Sequence, residues 1–291
     1  MNAGLVLALA SAACYGANIV SARMAGDAGI SGVSLVLYRI APMLVVAGLL
    51  ATRGGLAVPR GERLTVALLG LTTVGVGTAY FSAVAFVPVT VAVVVFYTYP
   101  ALIVVLDPLV GGPPPDPARL GIVALAVAGV ALVVGPVWEG LDPRGLALAG
   151  VASLATAAQF LVAARCPGTS VGAKAVWVHV ILLPAVAGIA LASGTLVPPA
   201  ALLDAPVAVA LTVAGYVLGF LLQLAALARA SAVVGGIAFC LEPVVAASAA
   251  ALMLGERPGP LQIVGGALVL AAVAANALRP QPAPAVAEAP P

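Results

Sequence analysis

Ten runs of roughly 20 apolar residues, separated by short polar or Pro/Gly-rich breaks, dominate this chain. They lie at roughly 3 to 21, 31 to 51, 64 to 86, 89 to 110, 118 to 138, 145 to 164, 173 to 193, 206 to 228, 230 to 254 and 260 to 278. A helix rises about 1.5 Å per residue, so about 20 residues cross a hydrocarbon core of about 30 Å. Lipid offers the backbone no hydrogen bonds, so runs of this length fold as helices. The predicted fold is therefore all-α, a polytopic membrane protein with ten transmembrane helices. Composition agrees: 63% of the 291 residues are hydrophobic and 8% are charged, against about 25% charged in soluble domains. The longest connection, "TRGGLAVPRGER" at 52–63, is too short for a soluble catalytic domain.

A net charge of +2 with scattered basic residues gives no reason to expect a nucleic-acid partner. The three cysteines, Cys14, Cys166 and Cys240, are odd in number and far apart, so they read as small apolar side chains and not as a disulfide framework or metal knuckle. No metal and no cofactor are expected. "GLVLALASAA" near the start resembles a signal-peptide core, but no Lys or Arg precedes Arg23, so it is read as the first span. The proline-rich stretch 280–291, "PQPAPAVAEAPP" after Arg279, is expected to be a disordered cytoplasmic tail.

Lys and Arg set the orientation. With both termini inside, the inner loops and span ends carry Arg53, Arg60, Arg63, Arg119, Arg165, Lys174, Arg229 and Arg279, while the outer side carries Arg23, Arg144 and Arg257. That asymmetry predicts a multi-pass protein of the cell membrane with both termini cytoplasmic.

The two halves resemble each other. A shift of 141 aligns "GLVLALASAACYGANIVSA" at 4–22 with "GLALAGVASLATAAQFLVA" at 145–163 and pairs Asn18 with Gln159. A shift of 143 aligns Phe96 with Phe239 and Pro100 with Pro243, and sets Tyr99 against Glu242. Five spans per half make the second copy enter the membrane from the opposite side, so the repeats are inverted. The expected division is 1–138 for spans one to five and 139–279 for spans six to ten.

"LEPVVAASAAALMLGERPGPLQIVGGALVLAAV" at 241–273 resembles the closing two helices of the EamA family in the drug/metabolite transporter superfamily, through Glu242, Pro243, Gly255, Glu256, Gln262, Gly265 and Gly266. The first half has the same layout at 96–130, but Pro113 follows Gly112 where the family usually has glutamate. The resemblance implies a ten-helix carrier with a central cavity, exporting a small metabolite, amino-acid-like compound or drug. It leaves the cargo open.

Glu242 stands directly before Pro243 inside an otherwise uncharged run. A charge at mid-bilayer costs about 3 kcal/mol on insertion scales, so it should face the bundle interior or a cavity. Three readings fit: a proton-binding site, a counter-charge for a cationic cargo group, or a protonated structural lock. Pro243 and Pro100 deprive the carbonyls of Phe239 and Phe96 of their helix partners. Broken helices at corresponding positions point to a binding site, although prolines also kink helices for packing alone.

Arg39 lies about 12 Å into the second span and either snorkels outward or faces the cavity to hold an acidic group. His179, the lone histidine, is either a packed neutral ring or a cavity-lining hydrogen-bond donor. Asn18, Gln159 and Gln223 either bond neighbouring helices or line a cavity. Tyr80, Phe96, Tyr97, Tyr99, Tyr216 and Phe239 suit apolar walls with hydroxyl handles, or the membrane interfaces. Asp107 reads as an interfacial charge, and the small residues of "GLTTVGVG" at 70–77 and "GGIAF" at 235–239 as helix-packing surfaces.

A secondary carrier with a small-molecule cargo, and with proton coupling as one reading, is thus the expected function. An intramembrane lipid- or prenyl-type enzyme lacks acidic clusters and nucleophile motifs, and a non-transporting scaffold has no need of polar groups in several spans.

Overall fold

The Ser31, Asp142 and Ser170 side chains each accept a backbone N–H at the start of a helix, and Gly135, Gly194 and Gly255 adopt the left-handed conformation at helix ends. These local signals cut the apolar sequence into spans. The computed structural model describes residues 2–114, 116–135 and 141–279. Ten helices long and apolar enough to cross a membrane are found there: span 1 Ala3–Asp27, span 2 Gly32–Gly54, span 3 Arg60–Ala83, span 4 Val89–Val110, span 5 Pro117–Val134, span 6 Pro143–Ala163, span 7 Val171–Ser193, span 8 Pro206–Leu227, span 9 Ala232–Leu254 and span 10 Pro260–Leu278.

Three boundaries differ from the sequence reading by more than a turn, the first being that of span 3, which begins at Arg60 with a short 3-10 turn over Arg60–Glu62. Span 1 runs on to Asp27, since nothing before Gly29, at φ +88°, interrupts the helix. Span 5 stops at Val134 with Gly135 as its left-handed cap, and the rest of its expected extent, 136–138, lies outside the described residues. So does the expected tail, 280–291.

Leu49, Leu71, Leu252 and Leu278 stand exposed on the outside of the bundle. The interior is built largely of Ala, Gly and Val, the arrangement expected where lipid replaces water and helices associate by close packing. Glycines set that closeness. A Cβ on Gly129 would lie 2.8 Å from the Gly265 carbonyl oxygen, and one on Gly265 2.6 Å from that of Gly129, so spans 5 and 10 meet backbone to backbone.

The packing follows the repeat. Span 1 lies chiefly against spans 8 and 9, and span 6 against spans 3 and 4, while spans 2 and 7, and 5 and 10, pair with their own counterparts. Exchanging each span with the one five later leaves this pattern unchanged. The polar contacts obey it too. The Asn18 amide donates to the Thr212 carbonyl between spans 1 and 8, and the Gln159 amide to the Thr73 hydroxyl between spans 6 and 3. The fold is two five-helix inverted repeats.

Spans 4 and 9 are broken at corresponding places. Span 4 is helical over Val89–Phe96 and Tyr99–Leu106, and span 9 over Ala232–Phe239 and Glu242–Leu254. The breaks fall at Tyr97–Thr98 and Cys240–Leu241, ahead of the prolines themselves. Pro100 and Pro243 sit in the first turn of the following helix, where a missing N–H costs nothing. A further interruption was not foreseen. Span 2 divides into Gly32–Tyr38 and Ile40–Gly54 around Arg39, where Pro42 leaves the Tyr38 carbonyl without its helix partner.

Candidate functional site

Residues at the three breaks, Arg39, Tyr97 and Glu242, line one cavity. Glu242 is the first residue of the second half of span 9, where the free N–H groups and positive end of a helix favour a carboxylate. Its repeat counterpart Tyr99 opens the second half of span 4. Span 1 reaches this point at Gly16, whose missing side chain lets the helix rest against the Glu242 carbonyl oxygen.

Two chambers meet here. The first, about 240 Å³, is lined by spans 1, 2, 3, 4, 6, 7, 8 and 9, and the second, about 560 Å³, runs mainly between spans 1, 3, 4, 5 and 9. Arg39, Phe96 and Glu242 line both. Gln159, Gln223, Tyr99, Tyr216 and Phe239 line the first, and Tyr80, Tyr97 and Pro243 the second. The aromatics form a continuous wall, with Phe96 edge-on to Tyr80 at 5.4 Å and to Tyr97 at 5.4 Å, and Phe160 edge-on to Phe239 at 5.1 Å.

Polar handles punctuate this wall. The Gln159 amide donates to the Thr73 hydroxyl at 2.8 Å, and the Gln223 amide to the Gln159 oxygen at 3.4 Å. The Tyr15 hydroxyl donates to the Gln223 oxygen at 3.2 Å. Tyr97 and Glu242 line the second chamber together. Among the described residues Glu242 makes no ion pair. Arg39 does not snorkel: it lines both chambers, and its guanidinium carbon lies 3.6 Å from the centroid of the Tyr216 ring.

Three expected residues lie elsewhere. His179 is fully buried behind the wall, bonded to the Tyr216 hydroxyl and the Ala175 carbonyl, and does not line either chamber. Asn18 is buried between spans 1 and 8, with Gly215 packed against it, and lines neither chamber. Pro100 is buried against Gly236 and shapes span 4 without touching the cavity.

Tyr15, Thr73, Thr156, Phe160 and Phe220 line the first chamber and were not anticipated. Tyr15 lies one turn before Asn18, and Phe160 directly follows Gln159, so neighbours of the chosen polar residues held a signal. The stretch "GLTTVGVG" divides its work. Gly70 packs against Ile181, whereas Thr73 and Gly77, with Thr78 just beyond, line the cavity.

The second chamber reaches Arg23, Val89, Val133 and Gln262, all at span ends remote from the termini, so the cavity opens on that side. The other end is closed by contacts between the repeats. Asp107, buried in the last turn of span 4, pairs with Arg165 at 2.9 Å. The Glu62 carboxylate accepts from the Gly168 backbone and the Thr169 hydroxyl, and the Trp177 indole donates to the Leu56 carbonyl.

No curated protein matches the chain. A solved structure described only as "Crystal structure of protein" superposes with a TM-score of 0.75 over 94% of this chain and 96% of its own, at 18% identity. That likeness shows the fold alone. A family model described as "EamA-like transporter family" matches residues 2–135 and again 143–278.

Proposed function

Because the chain belongs to the EamA-like transporter family, we propose that it is a secondary carrier, moving a small metabolite, amino-acid-like compound or drug across the cell membrane by alternating access. The observation that carries this reading is Glu242, an unpaired carboxyl at a helix break shared by two chambers. When the cavity is dry the neutral acid is favoured, and when it opens to water the carboxylate is favoured. Reorientation is thereby tied to gain and loss of a proton.

Repeats 1–138 and 139–279 rock against each other about this point, with Phe96, Tyr99, Tyr216 and Phe239 as apolar walls and Gln159 and Gln223 as adaptable hydrogen-bonding groups. No catalytic step is part of the reading. Both termini are cytoplasmic, in keeping with the excess of Lys and Arg on their side, and the direction is export, as in the family members the sequence resembles. The cavity drawn here is then the outward-open state.

The test is accumulation of radiolabelled amino acids and aromatic drugs in cells with and without the protein. Expression should lower accumulation of at least one compound, and dissipating the proton gradient should abolish the difference. Identical accumulation of the whole panel contradicts the reading.

A further inference from the structure

We propose that Arg39 forms a carboxylate-binding subsite in the first chamber, and that His179, out of reach of the cavity, positions it through Tyr216. The subsite follows from geometry. That its ligand is cargo rests on the carrier reading above.

Arg39 occupies the interruption in span 2, where Pro42 leaves the Tyr38 carbonyl without its helix partner. Its Nε is the one buried side-chain nitrogen or oxygen among the described residues that has no hydrogen-bond partner. No carboxylate in the described structure pairs with it, although Arg23, Arg119, Arg144, Arg165 and Arg279 all have one. Glu242 lines the same chambers without forming an ion pair to it. A guanidinium does not lose its proton, so this cation persists through every step of a transport cycle. Its planar fork of donors matches the two oxygens of a carboxylate.

The fork is held at a fixed place. The Arg39 guanidinium carbon rests 3.6 Å from the Tyr216 centroid, a cation–π contact with the ring face. The Tyr216 oxygen lies 2.7 Å from His179 Nε2, and His179 Nδ1 lies 2.8 Å from the Ala175 carbonyl. A carbonyl only accepts, so Nδ1 carries the proton; in the neutral ring that full burial favours, Nε2 then accepts and the Tyr216 hydroxyl donates to it. Phe220 packs edge-on to His179 at 4.9 Å and stacks beside Tyr216 at 6.0 Å. The tyrosine is thus pinned at its hydroxyl and along its ring, which leaves a face for Arg39.

The surrounding walls, Phe96, Phe160 and Phe239, suit an aromatic or branched body attached to the carboxylate. The ligand class is a small organic carboxylate with an apolar substituent. Whether it also carries an amine is decided by Glu242 and is separate from this site.

Benzoate and benzamide test the assignment, since they share a body and differ in the group offered to Arg39. Both are titrated by calorimetry at pH 7 and constant ionic strength into the full-length protein in nanodiscs. The wild type should prefer benzoate by at least about tenfold, the scale of charge-assisted over neutral hydrogen bonds. Arg39→Met should erase the preference, and Arg39→Lys should retain part of it. His179→Phe should lower the benzoate-to-benzamide ratio with benzamide binding unchanged, whereas a merely structural histidine would weaken both ligands alike. His179→Gln, which can still accept from Tyr216, should restore the ratio.

Absence of a benzoate preference in the wild type overturns the subsite without need of any variant. A preference that survives Arg39→Met does so as well. Benzoate binding without transport of any compound would contradict the carrier reading and leave the subsite standing. Transport with no carboxylate preference would do the reverse.

Discussion

Replacing Gly16 by alanine drives a methyl group into a place where span 1 touches the backbone of the Glu242 half-helix. The new Cβ would lie 2.7 Å from the Glu242 carbonyl oxygen, 2.7 Å from Val245 Cβ and 2.9 Å from its Cγ1. Ordinary contact begins at 3.4 Å, so spans 1 and 9 must part by about 0.7 Å. A backbone oxygen cannot swing aside as a side chain can, which places the cost near the upper end of the ~1–3 kcal/mol typical of overpacking. Alanine recovers up to about 1 kcal/mol through helix propensity. The net loss is about 2 kcal/mol, or a factor of about 30 in the unfolding equilibrium. Gly188→Ala is the control. It lies inside span 7 with nothing within 4 Å of its would-be Cβ, and should be neutral or stabilising. The assay is unfolding of both purified variants in mixed micelles titrated with SDS, followed by transport of whichever substrate the accumulation panel identifies. Gly16→Ala should unfold at a lower SDS fraction and transport more slowly. A Gly16→Ala protein as stable as Gly188→Ala would refute the packing argument.

The Asp107–Arg165 pair, with side-chain exposures of 9% and 20%, closes the end of the cavity near the termini. Asp107→Asn should favour opening there, read as faster maleimide labelling of the buried Cys166 in a Cys14→Ser, Cys240→Ser background; unchanged labelling would mean that the pair is no latch. A reporter fused after Arg279 should prove cytoplasmic, and an external reporter would overturn the assigned orientation. Gly129→Leu should prevent spans 5 and 10 from meeting and abolish folded protein in the membrane; normal yield and unfolding midpoint would contradict the backbone contact inferred between them.

The ten spans were legible because burial in lipid is written as length and apolarity, and the inverted repeat because prolines and amides recur at nearly constant shifts. Pro42 and Pro184 recur at a shift of 142 in the same way, yet they behave differently: span 2 breaks at Arg39, and span 7 carries Pro184 within a continuous helix. Sequence spacing cannot distinguish the two, since the outcome depends on what packs against the freed carbonyl. The same limit applied to the site. Glu242, Arg39, Gln159 and Gln223 stood out as polar groups in apolar runs and do line the cavity, whereas Asn18 and His179 stood out equally and are buried against neighbouring helices. Their chemistry gives no sign of which way a side chain points. Tyr15 and Phe160 escaped notice because an aromatic in a membrane span is ordinary until its neighbours are known.

The central claim is that the carrier works by changing the charge of Glu242. Glu242→Gln preserves size and hydrogen bonding but removes titration, so the variant is reconstituted into proteoliposomes and compared with wild type, using the substrate found by accumulation. Uphill transport driven by an imposed pH gradient should be lost, while equilibrium exchange of labelled for unlabelled substrate in the absence of a gradient should continue. If Glu242→Gln still concentrates substrate at the wild-type rate and with wild-type pH dependence, Glu242 is a structural lock and the proposed coupling is wrong.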